Sequence, residues 1–152
     1  MWCGQSQGAI AIFSLKESIV TNQDIVTHLL DSGEVMQVKS TEDSQHVFSY
    51  LYPGCVIYQW HVHDKTIKAK LDCSKLIPCS ESLKTINIDD QFSPGRCQVS
   101  TLEVVSDLLY IGTCWGCLVV VETCNLRPVT VFRPFSDDIQ SLVSFRYILY
   151  FV

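Results

Sequence analysis

Residues 97–135 read CQVSTLEVVSDLLYIGTCWGCLVVVETCNLRPVTVFRPF. Four short apolar runs lie within them: Val99–Val105, Leu108–Gly112, Cys117–Val121 and Val129–Phe132. Their β-branched and aromatic content favours strands over one long helix. The breaks at Ser106–Asp107, Gly112–Gly116 and Asn125–Pro128 are all of hairpin length. Three such connections predict a four-stranded antiparallel meander. A lone meander leaves both faces uncovered, so it has to stack on another layer or on copies of itself.

Copies are present in the chain. Shifting by 108 residues lays Met1-Trp2-Cys3-Gly4 on Leu109-Tyr110-Ile111-Gly112, and Gly8 on Gly116. The same shift takes Ile10 to Leu118 and Ile12 to Val120. A shift of 46 carries Gly8 to Gly54, followed by Val56 and Tyr58 at matching apolar positions. A shift of 40 carries Val99 and Leu102 to Ile139 and Leu142, and Leu109-Tyr110-Ile111 to Leu149-Tyr150-Phe151. A unit of roughly 40–46 residues with about four strands is the sequence signature of a propeller blade.

The rest of the chain divides on that period. Residues 1–30 form a partial blade, with strands at Met1–Cys3 and Ala9–Leu15 and a third run over Ile19–Leu30. Residues 34–73 form a full blade from Glu34–Lys39, His46–Tyr52, Cys55–Trp60 and a run marked by Ile67 and Leu71. Residues 74–96 are a polar loop insertion that the blades can spare, with a further strand expected at Leu83–Ile88. Residues 97–135 form the second full blade. Residues 138–152 form a last partial one, with strands at Ile139–Phe145 and Tyr147–Val152. The glycines Gly4, Gly8, Gly54, Gly112 and Gly116 are read as structural turns. The fold expected is all-β, an incomplete propeller of about three to three and a half four-stranded antiparallel blades. Known propellers close with four or more blades, so the chain reads as a piece of a larger ring.

Composition narrows the function classes. The 152 residues are 47% hydrophobic and 18% charged, which is a globular and not a disordered balance. A net charge of −5 and a pI near 5.2 argue against a nucleic-acid footprint. No apolar run approaches the ~18 residues that cross a bilayer, which leaves peripheral membrane association open. Residues 1–15 lack the basic start of an export signal. The eight cysteines therefore read as reduced structural thiols in a cytoplasmic protein.

The ordered segments MWCG, VIYQWHVHDKTIKAKLDC and LLYIGTCWGCLVVVETCNLRPVTVF carry a resemblance to a known family. Together they resemble a degenerate WD40 propeller, and most of all the C-terminal WD40 domain of the leucine-rich-repeat serine/threonine kinases, the Roco family. The usual Gly-His and Trp-Asp signatures are missing. Trp60 stands nearest to the signature tryptophan and is followed by His61. The resemblance implies a parent protein with a GTPase module and a kinase elsewhere in its chain. Propellers of Rho or Rab exchange factors and of kinase scaffolds are the alternatives. Neither a phosphate-binding glycine loop nor a kinase constellation is present in these residues.

Each chemical constellation has to be weighed against an ordinary packing role. Cys114-Trp115-Gly116-Cys117 is the sharpest, because a Cys-x-x-Cys pair can cycle between dithiol and disulfide. Redox pairs lower one thiol's pKa at a helix N-terminus. Here the pair sits in a strand-to-strand turn, so packed thiols are expected, and a redox protein using Cys114 and Cys117 is the rival reading. His61 and His63 alternate on a strand and share a face, but two ligands do not complete a metal site. His28 and His46 are placed in unrelated units with no nucleophile beside them. Trp115, an indole at a polar hairpin tip, is expected either to pack on the adjacent blade or to anchor a partner.

The expectation is a non-catalytic scaffolding segment with no cofactor, metal or nucleic-acid partner. Its partners are proteins, a second copy included. Blade ends left without a neighbour are expected to expose Ile10, Ile12 and Phe13 at one end and Ile148, Leu149 and Phe151 at the other.

Overall fold

The computed structural model describes residues 1–16, 19–28, 33–77, 97–146 and 148–151. The residues at 78–96, and with them the strand expected at Leu83–Ile88, lie outside the described part.

The meander expected at residues 97–135 is there. Its strands are β8 (Val99–Val105), β9 (Leu108–Thr113), β10 (Leu118–Glu122) and β11 (Pro128–Phe132), hydrogen-bonded in chain order into one antiparallel sheet. A second four-stranded sheet precedes it, built from β4 (Glu34–Ser40), β5 (His46–Tyr52), β6 (Val56–His61) and β7 (Ile67–Asp72). At one end stands a sheet of β1 (Trp2–Gly4), β2 (Ala9–Lys16) and β3 (Ile19–Thr27). At the other stands a pair, β12 (Leu142–Phe145) and β13 (Ile148–Phe151). These are the first to fourth sheets below. The first strands of the last three sheets, β4, β8 and β12, pack against one another in succession.

Period-2 alternation explains the packing. Because each inner strand is apolar on both faces, the core is not one mass but three layers between sheets. Ile10 and Ile12 of the first sheet meet Val35, Val47, Leu51, Tyr58 and Trp60 of the second. Phe48, Tyr50 and Ile57 on the second sheet's other face meet Leu102, Leu109, Ile111, Val119 and Val121 of the third. Leu118 and Val120 on the far face of the third meet Ile139 and Leu142. Ile10 and Ile12 are thus buried against the second sheet and are not an open end, because strand parity turns Cys3 and Phe13, not the isoleucines, outward. Leu149 likewise packs inward on the third sheet.

The glycines separate into two kinds. Gly8 and Gly116, which match under the 108-residue shift, take φ of 67° and 68° in equivalent turns. A Cβ on Gly116 would run into the carbonyl oxygens of Phe135 and Asp137. Gly54 lies in the connection between β5 and β6, where its carbonyl accepts the Val99 N–H at 2.8 Å. Gly4 and Gly112 are strand residues, not turns. What Gly112 supplies is clearance, since a Cβ there would lie 2.7 Å from Thr101 Cγ2 and 3.0 Å from Ile139 Cγ2.

Two further expectations change in detail. The run from Ile139 does not enter the sheet until Leu142, because Ile139 is buried and its backbone is tied to the third sheet by Thr113 and Ser100. The polar insertion does not run out from the sheets at residue 74 either. A 3-10 turn, Cys73–Lys75, is capped by the Asp72 carboxylate and leads into Ile77, which is buried in the core.

Candidate interaction surface

Polar residues that could serve chemistry are spent mostly on joining sheets. His28, in the connection from β3 to β4, is 1% exposed. Its Nδ1 lies 2.6 Å from the Gly8 carbonyl oxygen, so Nδ1 carries the proton and donates. Nε2, 2.9 Å away, then accepts from the Ser49 hydroxyl on β5. Ser49 Oγ in turn accepts the Trp60 indole N–H at 2.8 Å. The His28 ring stands edge-on to Tyr58 and Trp60, with centroids at 4.4 and 5.0 Å. Thus His28 is not in an unrelated unit. It is the partner of the signature-like Trp60, reached from the preceding sheet. The signal available was its place in the connection ahead of the strand pair that carries Ser49 and Trp60.

A second row runs along the inner strands. Lys39 on β4 donates to Glu103 on β8 at 2.6 Å, and the Ser144 hydroxyl on β12 donates to the other Glu103 oxygen at 2.6 Å. Burial acts to raise the Glu103 carboxyl, but the Lys39 and Ser144 hydrogen bonds and the Lys39 charge outweigh it and hold it below the ordinary glutamate range. Nearby, the Gln37 side-chain oxygen accepts the Leu102 N–H at 2.7 Å. Tyr50 donates to the Ser100 carbonyl at 2.6 Å, and burial pushes its hydroxyl up to about 12.

The cysteines of the CWGC turn join the same core. Cys117 is buried, and burial raises its thiol. Cys114 accepts the Gln98 N–H through Sγ at 3.3 Å, and a hydrogen bond with Cys97 together with burial pushes its thiol up. At Cys97 the Cys114 contact favours the thiolate, but the Cys55 contact and burial win and carry it to about 12. Redox nucleophiles need the opposite shift. Trp115, between them, is half-buried and packs against the core shared by the second and third sheets, while its carbonyl accepts from Arg133 Nε at 2.8 Å.

Among the histidines, strand pairing sets His61 opposite His46, while His63 falls in the turn beyond β6. Burial, aided by Lys68 and His61 and opposed by Asp43, lowers the His46 pKa. Among the described residues no group of three or more His, Cys, Asp or Glu is arranged to hold a metal. A cleft of about 340 Å³ opens between the first and second sheets, lined by Trp2, Val38, Ser40, Ser44 and Val47. No helix among the described residues is long and apolar enough to cross a membrane.

Antiparallel sheets stacked face to face, with successive first strands in contact, define a WD40-type β-propeller. Solved structures carry the same fold. Sqt1 of Saccharomyces cerevisiae superposes with a TM-score of 0.63 at 12% identity, over 93% of this chain and 32% of that one. The WD40 repeats of RRP9 superpose with a TM-score of 0.61 at 17% identity, over 98% and 36%. Within that class the chain belongs to the LRRK2 beta propeller family, whose description matches residues 1–148. It is also 28% identical over 144 residues to leucine-rich repeat serine/threonine-protein kinase 1 of Caenorhabditis elegans. That match takes in 93% of this chain and 6% of the relative's length. The chain therefore spans only a small part of that relative's length.

Proposed function

We propose that this chain is a non-catalytic protein-interaction segment of a cytoplasmic signalling protein, one whose kinase and GTPase modules lie elsewhere in the parent. The observation that carries this reading is the family match over residues 1–148 to the propeller. The fate of the reactive-looking residues supports it. Cys114 and Cys117 have raised thiols, and His28 and Glu103 are held by neighbouring sheets. The mechanism is geometric. Sheets fix the backbone, and the connections at their two ends present contact residues on a rigid frame. Partners are proteins, met by the loops at 41–45 and 62–66 and by the partly buried Trp115.

The test uses the parent kinase with Glu42→Lys and Asp64→Lys, both at exposed loop positions. The expected result is loss of co-purifying protein partners with peptide phosphorylation unchanged. Partners retained in full, or dithiol exchange by the purified chain that disappears with Cys114→Ser, would overturn the reading.

A further inference from the structure

Two thiols meet where β8 enters the third sheet and β9 leaves it. Strand pairing sets Val99 of β8 opposite Thr113 of β9. Beyond that pair the Cys114 N–H donates to the Gln98 carbonyl at 3.0 Å, and the Gln98 N–H donates back to Cys114 Sγ at 3.3 Å. Cys97 is the next residue, and its thiol shares a hydrogen bond with that of Cys114. Cys97 is 3% exposed, whereas Cys114 is only partly buried. The pair thus joins a closed sulfur to one that a small solute can reach.

The neighbouring cysteines are held differently. The Cys117 N–H donates to Thr113 Oγ1 at 3.1 Å, and the Cys117 thiol points to the Trp115 carbonyl at 3.9 Å. Cys55 also contacts Cys97, but from the second sheet. The backbone there is fixed on both sides, by the Cys73 N–H on the Cys55 carbonyl and the Val99 N–H on the Gly54 carbonyl, each at 2.8 Å. Drawing Cys55 onto Cys97 would shift one sheet against another. Cys114 lies in a turn past the end of β9 and can close on Cys97 by rotating its own side chain.

We propose that Cys97 and Cys114 are an oxidation-sensitive pair, which peroxide joins into a disulfide that fastens the CWGC turn to the start of the third sheet. The Cys114 sulfur takes one oxygen from hydrogen peroxide. The O–O bond breaks, one water leaves and a sulfenic acid remains. The Cys97 sulfur gives up its proton and attacks, so that the S–O bond breaks, the S–S bond forms and a second water leaves. Two thiols are oxidised by two electrons in all, and the peroxide is reduced by the same two. Because the thiolate is the reacting form, two raised thiols make this step slower than oxidation of exposed Cys124. Burial of Cys97 equally shields the finished bond from reduction. The pair is therefore a latch that sets and holds, not a catalytic dithiol. The turn it fastens packs Gly116 on the carbonyls of Phe135 and Asp137, and its Trp115 carbonyl holds Arg133. Fixing Cys114 thus also steadies the connection that leaves the third sheet.

The test treats the whole chain carrying Cys124→Ser with hydrogen peroxide at neutral pH, blocks the remaining thiols and maps disulfides by mass spectrometry without reduction. Cys124 is exposed, so its removal serves only to prevent cross-links between copies. The expected product is a peptide pair joined through Cys97 and Cys114, absent when Cys114→Ser is added and still formed with Cys117→Ser. The map of the Cys124→Ser chain stands whether or not those two variants fold. Amide exchange at residues 114–117 should slow by about ten-fold in the oxidised chain and recover on treatment with dithiothreitol.

A link between Cys114 and Cys117, or between Cys55 and Cys97, overturns the proposal. So do Cys97 and Cys114 recovered as free thiols after Cys3 has oxidised, or amide exchange that the link leaves unchanged. None of these outcomes alters the family or the loss of partners expected of the loop variants.

Discussion

Ser49→Ala should be the most informative substitution between the first and second sheets. The Ser49 hydroxyl is fully buried, accepts from Trp60 Nε1 at 2.8 Å and donates to His28 Nε2 at 2.9 Å. Alanine removes one oxygen and strands two groups, an indole N–H and an imidazole nitrogen, in a site from which water is excluded. Each stranded group costs roughly 1–3 kcal/mol. Allowing some relaxation, the net loss is about 2–4 kcal/mol. For a chain of this size that lowers Tm by about 5–15 °C. Urea unfolding followed by tryptophan fluorescence, at one fixed protein concentration, measures it. Ser49→Thr keeps the hydroxyl and should lose much less. In a Trp60→Phe background the indole donor is already gone, so Ser49→Ala should cost about 1–2 kcal/mol less than in wild type. A loss below about 0.5 kcal/mol in wild type, or the same loss in both backgrounds, would refute the chain of bonds from Trp60 to Gly8.

Gly116→Ala meets both a left-handed φ of 68° and two carbonyl oxygens; it should destabilise by about 1–3 kcal/mol, and an unchanged midpoint in the same urea titration would refute the clash. Glu103 has a folded-state pKa below its ordinary 4.5, so its contribution is present above that value and is lost as pH falls through the lowered one. Glu103→Gln should therefore lower stability at neutral pH by about 1–2 kcal/mol and flatten the acid limb of the stability curve; an unchanged acid limb would exclude this role. In alkylation at mildly alkaline pH followed by mass spectrometry, exposed Cys124 should label well before Cys73, Cys97, Cys114 and Cys117, whose thiols are raised; labelling of Cys114 as fast as Cys124 would revive a redox role.

Strand content was legible because the apolar runs at Val99–Val105 and His46–Tyr52 coincide with β8 and β5, and because hairpin-length breaks leave meander topology as the simplest solution. The repeat was legible through spacing alone, as the near-identical φ of Gly8 and Gly116 confirms. Which face of each terminal sheet lies outward was legible in principle and misjudged in practice. Alternation within β2 places Ile10 and Ile12 together but does not say on which side the neighbouring sheet lies. Only a full blade, where Val119 and Val120 face opposite ways into two different cores, fixes that direction. The role of His28 was hidden for another reason. Its partners Ser49 and Trp60 lie 21 and 32 residues further on, on two strands whose registry a single sequence does not print.

The same separation explains why so many polar side chains are buried here. A sheet that is covered on both faces has no solvated side on which to place them. Polar residues on the inner strands must then find partners in the next sheet, as Lys39, Glu103 and Ser144 do across three. An unpaired carboxylate in that row would cost several kcal/mol, so each residue constrains its neighbour's side chain and the spacing of the sheets together. Contacts of this kind reach only adjacent sheets. Some connections take part as well, as His28 does with Ser49 and Lys65 with Asp24, but exposed side chains such as Glu42 and Asp64 are released from the demands of the core. That freedom is what a binding surface needs. It also predicts where changes will be tolerated: Asp64→Lys should leave unfolding unchanged within about 0.5 kcal/mol, whereas Ser144→Ala, which takes a hydroxyl donor away from Glu103, should not.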